Sequence, residues 1–113
     1  MSNAQHIDHE ALAALRDVME DDFLQLIETF VSDSRAKINT MQKALAAGQS
    51  EELRRAAHSL KGSSSNIGAA GLMEACRQIE VRAAASDLTG LEHLLVDLQS
   101  EFSQVKQQLD IYA

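Results

Sequence analysis

With 113 residues, no proline, 45% hydrophobic and only 4% aromatic residues, the chain has room for one helical domain and no second core. Its formal net charge of −7 argues against nucleic acid as the main partner, because phosphate backbones attract basic surfaces. A single cysteine, Cys76, excludes an internal disulfide; no apolar run approaches the ~20 residues of a membrane span and no signal-peptide core is visible, so a cytoplasmic protein without membrane insertion is expected.

Ser2-Asn3-Ala4 matches a common cloning remnant, so residues 1–4 are set aside and a single domain is expected over 5–113. The first, short helix begins at Asp8 as cap, with Ile7 stapling against Leu12 and Glu10 favouring the positive helix end. Leu12, Leu15 and Met19 form its apolar edge, which suits a lid on a bundle. A second helix runs from Asp21 or Asp22 to about Ala47, ended by Gly48. Its stripe is Phe23, Leu26, Ile27, Phe30, Val31, Ile38, Met41 and Leu45. Ser50 is placed to cap a third helix, with Glu51 and Glu52 in the first turn and Asn66, Ile67 and Gly68 as the following turn. A fourth spans Ala69 to Ala84 and turns Leu72, Cys76, Ile79 and Ala83 inward. Thr89 with Glu92 has capping-box spacing for a fifth, although a start at Leu88 is equally credible. Leu91, Leu94, Leu95, Leu98, Phe102, Val105 and Leu109 give the fifth helix its stripe. The connections are short, so the pattern predicts an all-α, antiparallel up-down-up-down four-helix bundle with a short additional N-terminal helix.

The third helix carries the unusual stretch, LRRAAHSLKGSSSNIGA from Leu53 to Ala69. At about 100° per residue, Leu53, Ala57, Leu60 and Ser64 share one side. His58 points the other way, with Arg54, Lys61, Gly62 and Ser65 on its face. A glycine inside a helix costs about 1 kcal/mol against alanine, and three serines in a row are poor helix formers. Something other than helix stability holds these residues there, unless Gly62 is a C′ glycine that stops the helix at Lys61 and leaves the serines as loop.

The run AAHSLKGSSSNIGA resembles the signature of the histidine-containing phosphotransfer (Hpt) domain, and the flanking helical pattern extends the likeness over nearly the whole chain. The resemblance implies that His58 is a phosphoacceptor, taking a phosphoryl group from the aspartate of one receiver domain and passing it to another. It implies response-regulator receiver domains as partners, together with a hybrid sensor histidine kinase, and a monomeric carrier, either free in the cytoplasm or as the cytoplasmic domain of a larger membrane sensor kinase. Such a carrier has no nucleotide site and no cofactor of its own, and Mg2+ is supplied by the receiver. In Hpt domains a Glu or Gln on the next helix often hydrogen-bonds the ring nitrogen that is not phosphorylated; the matching position is Glu80, which would leave Nε2 as nucleophile. The competing reading pairs Glu80 with Arg77 or leaves it to water.

The chemistry fits that expectation. Imidazole is substantially unprotonated near neutral pH, and phosphoryl transfer is mostly positioning plus charge stabilisation. Lys61 would neutralise the transferring oxygens, and Gly62 would leave room for a partner's loops. Arg54 and Arg55 would steer an acidic partner, Ser65 would extend the docking surface, and an ordinary solvated face is the alternative for these charges. His6, His9 and His93 read as surface residues without metal-ligand spacing, and Cys76 as core. No glycine-rich nucleotide loop is present, which argues against a kinase. Two other functions remain open: a helical adaptor that binds a receiver without being phosphorylated, and a chemotaxis-type domain phosphorylated directly by a kinase.

Overall fold

The computed structural model describes residues 6–112, so the remnant expected at residues 1–4 and the domain limits at Gln5 and Ala113 lie outside the described residues. Five helices follow one another: α1 (His9–Met19), α2 (Asp22–Ala46), α3 (Ser50–Asn66), α4 (Ala70–Ala84) and α5 (Leu91–Leu109), closed by a 3-10 turn at Asp110–Tyr112. Among the described residues there is no strand. Helix α3 packs on α2 and α4, and α5 on α4 and α2, so α2 to α5 form the four-helix ring with α1 laid on α2. The longest axis of the molecule, 42 Å, is set by α2, whose 25 residues rise about 37 Å.

The inward stripes account for the packing. Phe23, Ile27, Phe30, Ile38 and Met41 of α2 are buried against Leu53, Ala57 and Leu60 of α3, Leu72, Cys76, Ile79 and Ala83 of α4, and Leu91, Leu95, Leu98, Phe102, Val105 and Leu109 of α5. Leu26 and Val31 lie at the edge of the stripe, half-buried, while Ser34 and Ala44 are fully inside it. Both are small, and no hydropathy pattern marks a buried serine.

At the N-terminus Asp8 caps α1 by accepting from the Ala11 amide at 3.0 Å, with Ile7 and Leu12 both buried beside it as a staple. The Asp8 amide donates to the Gly68 carbonyl at 2.8 Å, which pins α1 to the turn between α3 and α4. His6 and His9 are not plain surface residues. His6 meets Glu101 at 2.8 Å, and His9 stacks on Tyr112 with its Nδ1 2.8 Å from the phenol oxygen. These contacts join the two ends of the chain, which no local pattern foretells. His93 is exposed, as expected.

Two helix starts differ from their expected positions. Ser50 is itself the first residue of α3, and its hydroxyl is directed to Ser86 at 3.5 Å instead of capping; Gln49 takes the cap position. Thr89 does not begin α5 either. Its amide donates to Asp87 and its carbonyl accepts from Arg82, so both backbone groups serve the turn. Gly90, at φ 72, then enters the left-handed region and α5 starts at Leu91.

Candidate functional site

Helix α3 continues without a break through Gly62 and the three serines to Asn66, so Gly62 does not stop it. Two of the serines tolerate this because their hydroxyls are satisfied locally, and Ser65 is exposed. Ser63 donates to the Ser59 carbonyl at 3.2 Å and Ser64 to that of Leu60 at 2.7 Å, while Lys37 of α2 reaches the Ser63 oxygen at 3.2 Å. Ser64 is buried with Leu60 against the core, which turns the opposite side of α3 outward. His58 and Gly62 stand on that outer side, one turn apart, and both are exposed. A Cβ added to Gly62 would meet nothing within 4 Å. The fold therefore makes no use of the missing side chain, and its helix penalty has no internal return.

From α4, burial of Cys76, Ile79 and Ala83 directs Glu80 toward the outer seam with α3. Its Oε2 lies 2.7 Å from His58 Nδ1, and its Oε1 lies 2.7 Å from the Lys61 ammonium. The imidazole is 63% exposed and the Glu80 side chain 15%, so the carboxylate is sheltered beneath a ring that faces solvent. Lys61 foremost, with His58 adding to it, holds the Glu80 carboxyl below its ordinary value against the opposing effect of partial burial. An ionised carboxylate only accepts hydrogen bonds. The network thus assigns the proton of the neutral ring to Nδ1, which puts the lone pair on Nε2. Arg77 is engaged elsewhere, with Glu74 at 2.6 Å.

The other expected positions surround this group. Arg54 binds Glu51 through two nitrogens, at 2.9 and 2.7 Å, and Arg55 reaches the same carboxylate at 3.1 Å. The Arg54 guanidinium is the main cause that pulls the Glu51 carboxyl down to about 2. Ser65 is exposed on the far side of Gly62. The positive area expected around His58 is accordingly compensated from within: Glu51 answers Arg54 and Arg55, and Glu80 answers Lys61. Lys37, which the sequence reading did not single out, approaches α3 from α2 while paired with Asp33 at 2.7 Å. The i, i+4 spacing of Asp33 and Lys37 marks the pair, but nothing local tells that it touches Ser63. Beneath Glu80, Cys76 is buried; burial above all, with the Glu80 charge, pushes its thiol up to about 12 and keeps it protonated. Among the described residues no group of three side chains is arranged to hold a metal ion, and no helix is long and apolar enough to cross a membrane.

An exposed imidazole with one nitrogen committed and the other free suits nucleophilic group transfer, and the comparisons point the same way. The family model described as Hpt domain matches residues 25–108. Among solved structures, histidine-containing phosphotransfer protein B (HptB) from Pseudomonas aeruginosa PAO1 superposes with a TM-score of 0.92 at 37% identity, covering 97% of this chain and 96% of that one. The histidine-containing phosphotransfer protein MtHPt2 from Medicago truncatula gives 0.81 at 28% identity, over 94% and 76% of the two chains. The maize protein ZmHP2 gives 0.83 at 19% identity, over 95% and 88%, a likeness of fold alone. No curated protein sequence gives a significant match.

Proposed function

The chain belongs to the Hpt domain family and carries out histidine phosphotransfer in a phosphorelay, and from that premise we propose that His58 is the phosphoacceptor and Nε2 its reacting atom. The Nε2 lone pair attacks phosphorus of a receiver's aspartyl phosphate. The N–P bond forms as the acyl O–P bond breaks, and the aspartate leaves as carboxylate. The ring, still carrying its Nδ1 proton, becomes a cation whose charge the Glu80 carboxylate, 2.7 Å away, stabilises. Transfer onward to a second receiver reverses the step and restores the neutral ring.

Lys61 leaves Glu80 Oε1 to neutralise the phosphoryl oxygens, and Gly62 keeps the approach to Nε2 open. Arg54, Arg55 and Ser65 form the docking surface. The magnesium used in the transfer belongs with the receiver's aspartate, as do most of the catalytic groups, so the domain acts as a monomeric cytoplasmic phosphocarrier more than as an enzyme. One observation carries this reading: Nδ1 of a 63% exposed ring is occupied by a carboxylate, so Nε2 is the nitrogen left for transfer.

The test is label transfer from a purified, phosphorylated receiver domain. Wild-type protein takes up acid-labile, base-stable phosphate, whereas His58→Gln takes up none and keeps its stability within about 0.5 kcal/mol, because the ring is on the surface. Persistent labelling of His58→Gln would move the site elsewhere. Labelling of wild type by a kinase core with no receiver present would favour the chemotaxis-type alternative.

A further inference from the structure

The sequence holds ten lysines and arginines, and those around His58 are each engaged by a carboxylate of the same chain. Arg35 of α2 is different. Among the described residues no carboxylate pairs with it, and its guanidinium carbon sits 5.9 Å from the centroid of the Phe102 ring of α5. Across the seam Lys106 reaches Asp110 only at 3.8 Å. Among the described residues Arg16 and Lys43 also lack a carboxylate partner, but Arg35 and Lys106 differ in lining one cavity together, across the seam between α2 and α5, on a chain with net charge −7.

They flank a cavity of about 300 Å³ walled by Arg35 and Asn39 of α2 and by Ser103 and Lys106 of α5, with Ile38 and Phe102 as its floor. A second cavity of about 340 Å³ adjoins it, sharing Gln42 and Gln99 and bounded by Leu45, Leu95 and Val96. Val96 is 60% exposed, a large apolar side chain left in water at the rim. The two cavities form one trough, with Arg35 and Lys106 at one end and Leu45, Leu95 and Val96 at the other, where Glu92 stands at the margin. From Arg35 to Leu45 it extends about 15 Å, close to three turns of helix. Around the bundle the order is α2, α3, α4, α5, so this α2/α5 seam lies opposite the α3/α4 seam that carries His58 and Glu80.

We infer that the α2/α5 trough is a second docking surface, which takes an amphipathic helix of a protein partner with its acidic end against Arg35 and Lys106. Charge complementarity chooses the occupant: Arg35, without a carboxylate partner among the described residues, and Lys106, held by Asp110 only at 3.8 Å, call for carboxylates at one end, and Leu45, Leu95 and Val96 call for apolar side chains at helical spacing along the rest. Because the two seams are on opposite sides, this partner and a receiver at His58 bind at the same time. The surface therefore serves to tether the carrier within an assembly without blocking transfer.

The probe is a synthetic helix-forming peptide of about 15 residues with glutamates in its first turn and a leucine stripe, compared with a version carrying lysines in place of the glutamates. Titrated into the isotopically labelled full chain, the acidic peptide shifts the amides of Asn39, Gln42, Gln99 and Ser103 saturably. Arg35→Gln weakens its binding about fivefold, and the rate of phosphoryl uptake at His58 is unchanged with peptide bound. Shifts centred on α3 and α4, equal binding of the lysine peptide, full affinity in Arg35→Gln, or no saturable shift each overturn the inference. Concentration-dependent dimerisation through the same residues also overturns it, by giving the trough to a second copy. Phosphoryl uptake is read separately, so failure here leaves the role of His58 standing.

Discussion

A single carboxylate does two things at this site. Glu80 Oε2 fixes the imidazole and Oε1 holds Lys61, so the ring's proton and the nearest cation are set by one side chain. Its lowered folded pKa means that it contributes stability above the unfolded carboxyl value of about 4.3, and that this contribution is lost as pH falls through the folded pKa. Lys61→Ala removes the principal cause. The Glu80 carboxyl carbon, followed by NMR against pH, then titrates at higher pH than in wild type, and transfer slows without unfolding. An unmoved titration would mean that Lys61 is not its main partner. Of this group, the residues from His58 to Gly62 were legible because they lie on one helix, where spacing alone sets the face. Glu80 was reached only through the family resemblance. Its choice between Arg77 and His58 is decided by how α3 and α4 register against each other, which no single-helix pattern contains.

The two glycines that matter most act on their elements in opposite senses. Gly90 stands at φ 72 ahead of α5, a conformation that costs an L side chain about 1 to 2 kcal/mol, so Gly90→Ala lowers stability by about 1 kcal/mol in a denaturant melt and leaves transfer intact. Gly62 stands mid-helix with open space beside it. Gly62→Gln therefore raises stability by about 0.5 kcal/mol, yet it fills the approach to Nε2 and lowers the transfer rate by about tenfold or more. A Gly62→Gln protein that is more stable and transfers at the wild-type rate would remove the steric argument. The helices themselves were legible because their stripes are long: every residue expected to face inward on α4 is buried, and α5 differs only in leaving Leu94 half-buried. The starts of α3 and α5 were not, since the Ser50 hydroxyl turns to Ser86 and the backbone amide and carbonyl of Thr89 serve the turn with Asp87 and Arg82.

At the scale of the whole molecule, charge decides how a partner arrives. A net charge of −7 repels an acidic receiver at long range, and the guanidiniums nearest His58 are masked by Glu51, which stays ionised down to about pH 2. On the docking role proposed for Arg54 and Arg55, steering would begin only when the partner's carboxylates compete with Glu51 for them. That predicts a wild-type transfer rate that is not slowed by salt and rises as salt screens the repulsion between the two acidic proteins. Glu51→Gln releases both guanidiniums, since a neutral amide holds them poorly, and it also lowers the net negative charge of the docking face. Stopped-flow transfer from a phosphorylated acidic receiver then runs about two- to fivefold faster at low ionic strength, and the gain fades toward about 1 M salt, where the screening length is only ~3 Å. A rate equal to wild type at every salt concentration would take Arg54 and Arg55 out of the docking surface and leave complementarity of shape around Gly62 and Ser65 to bring the partner in.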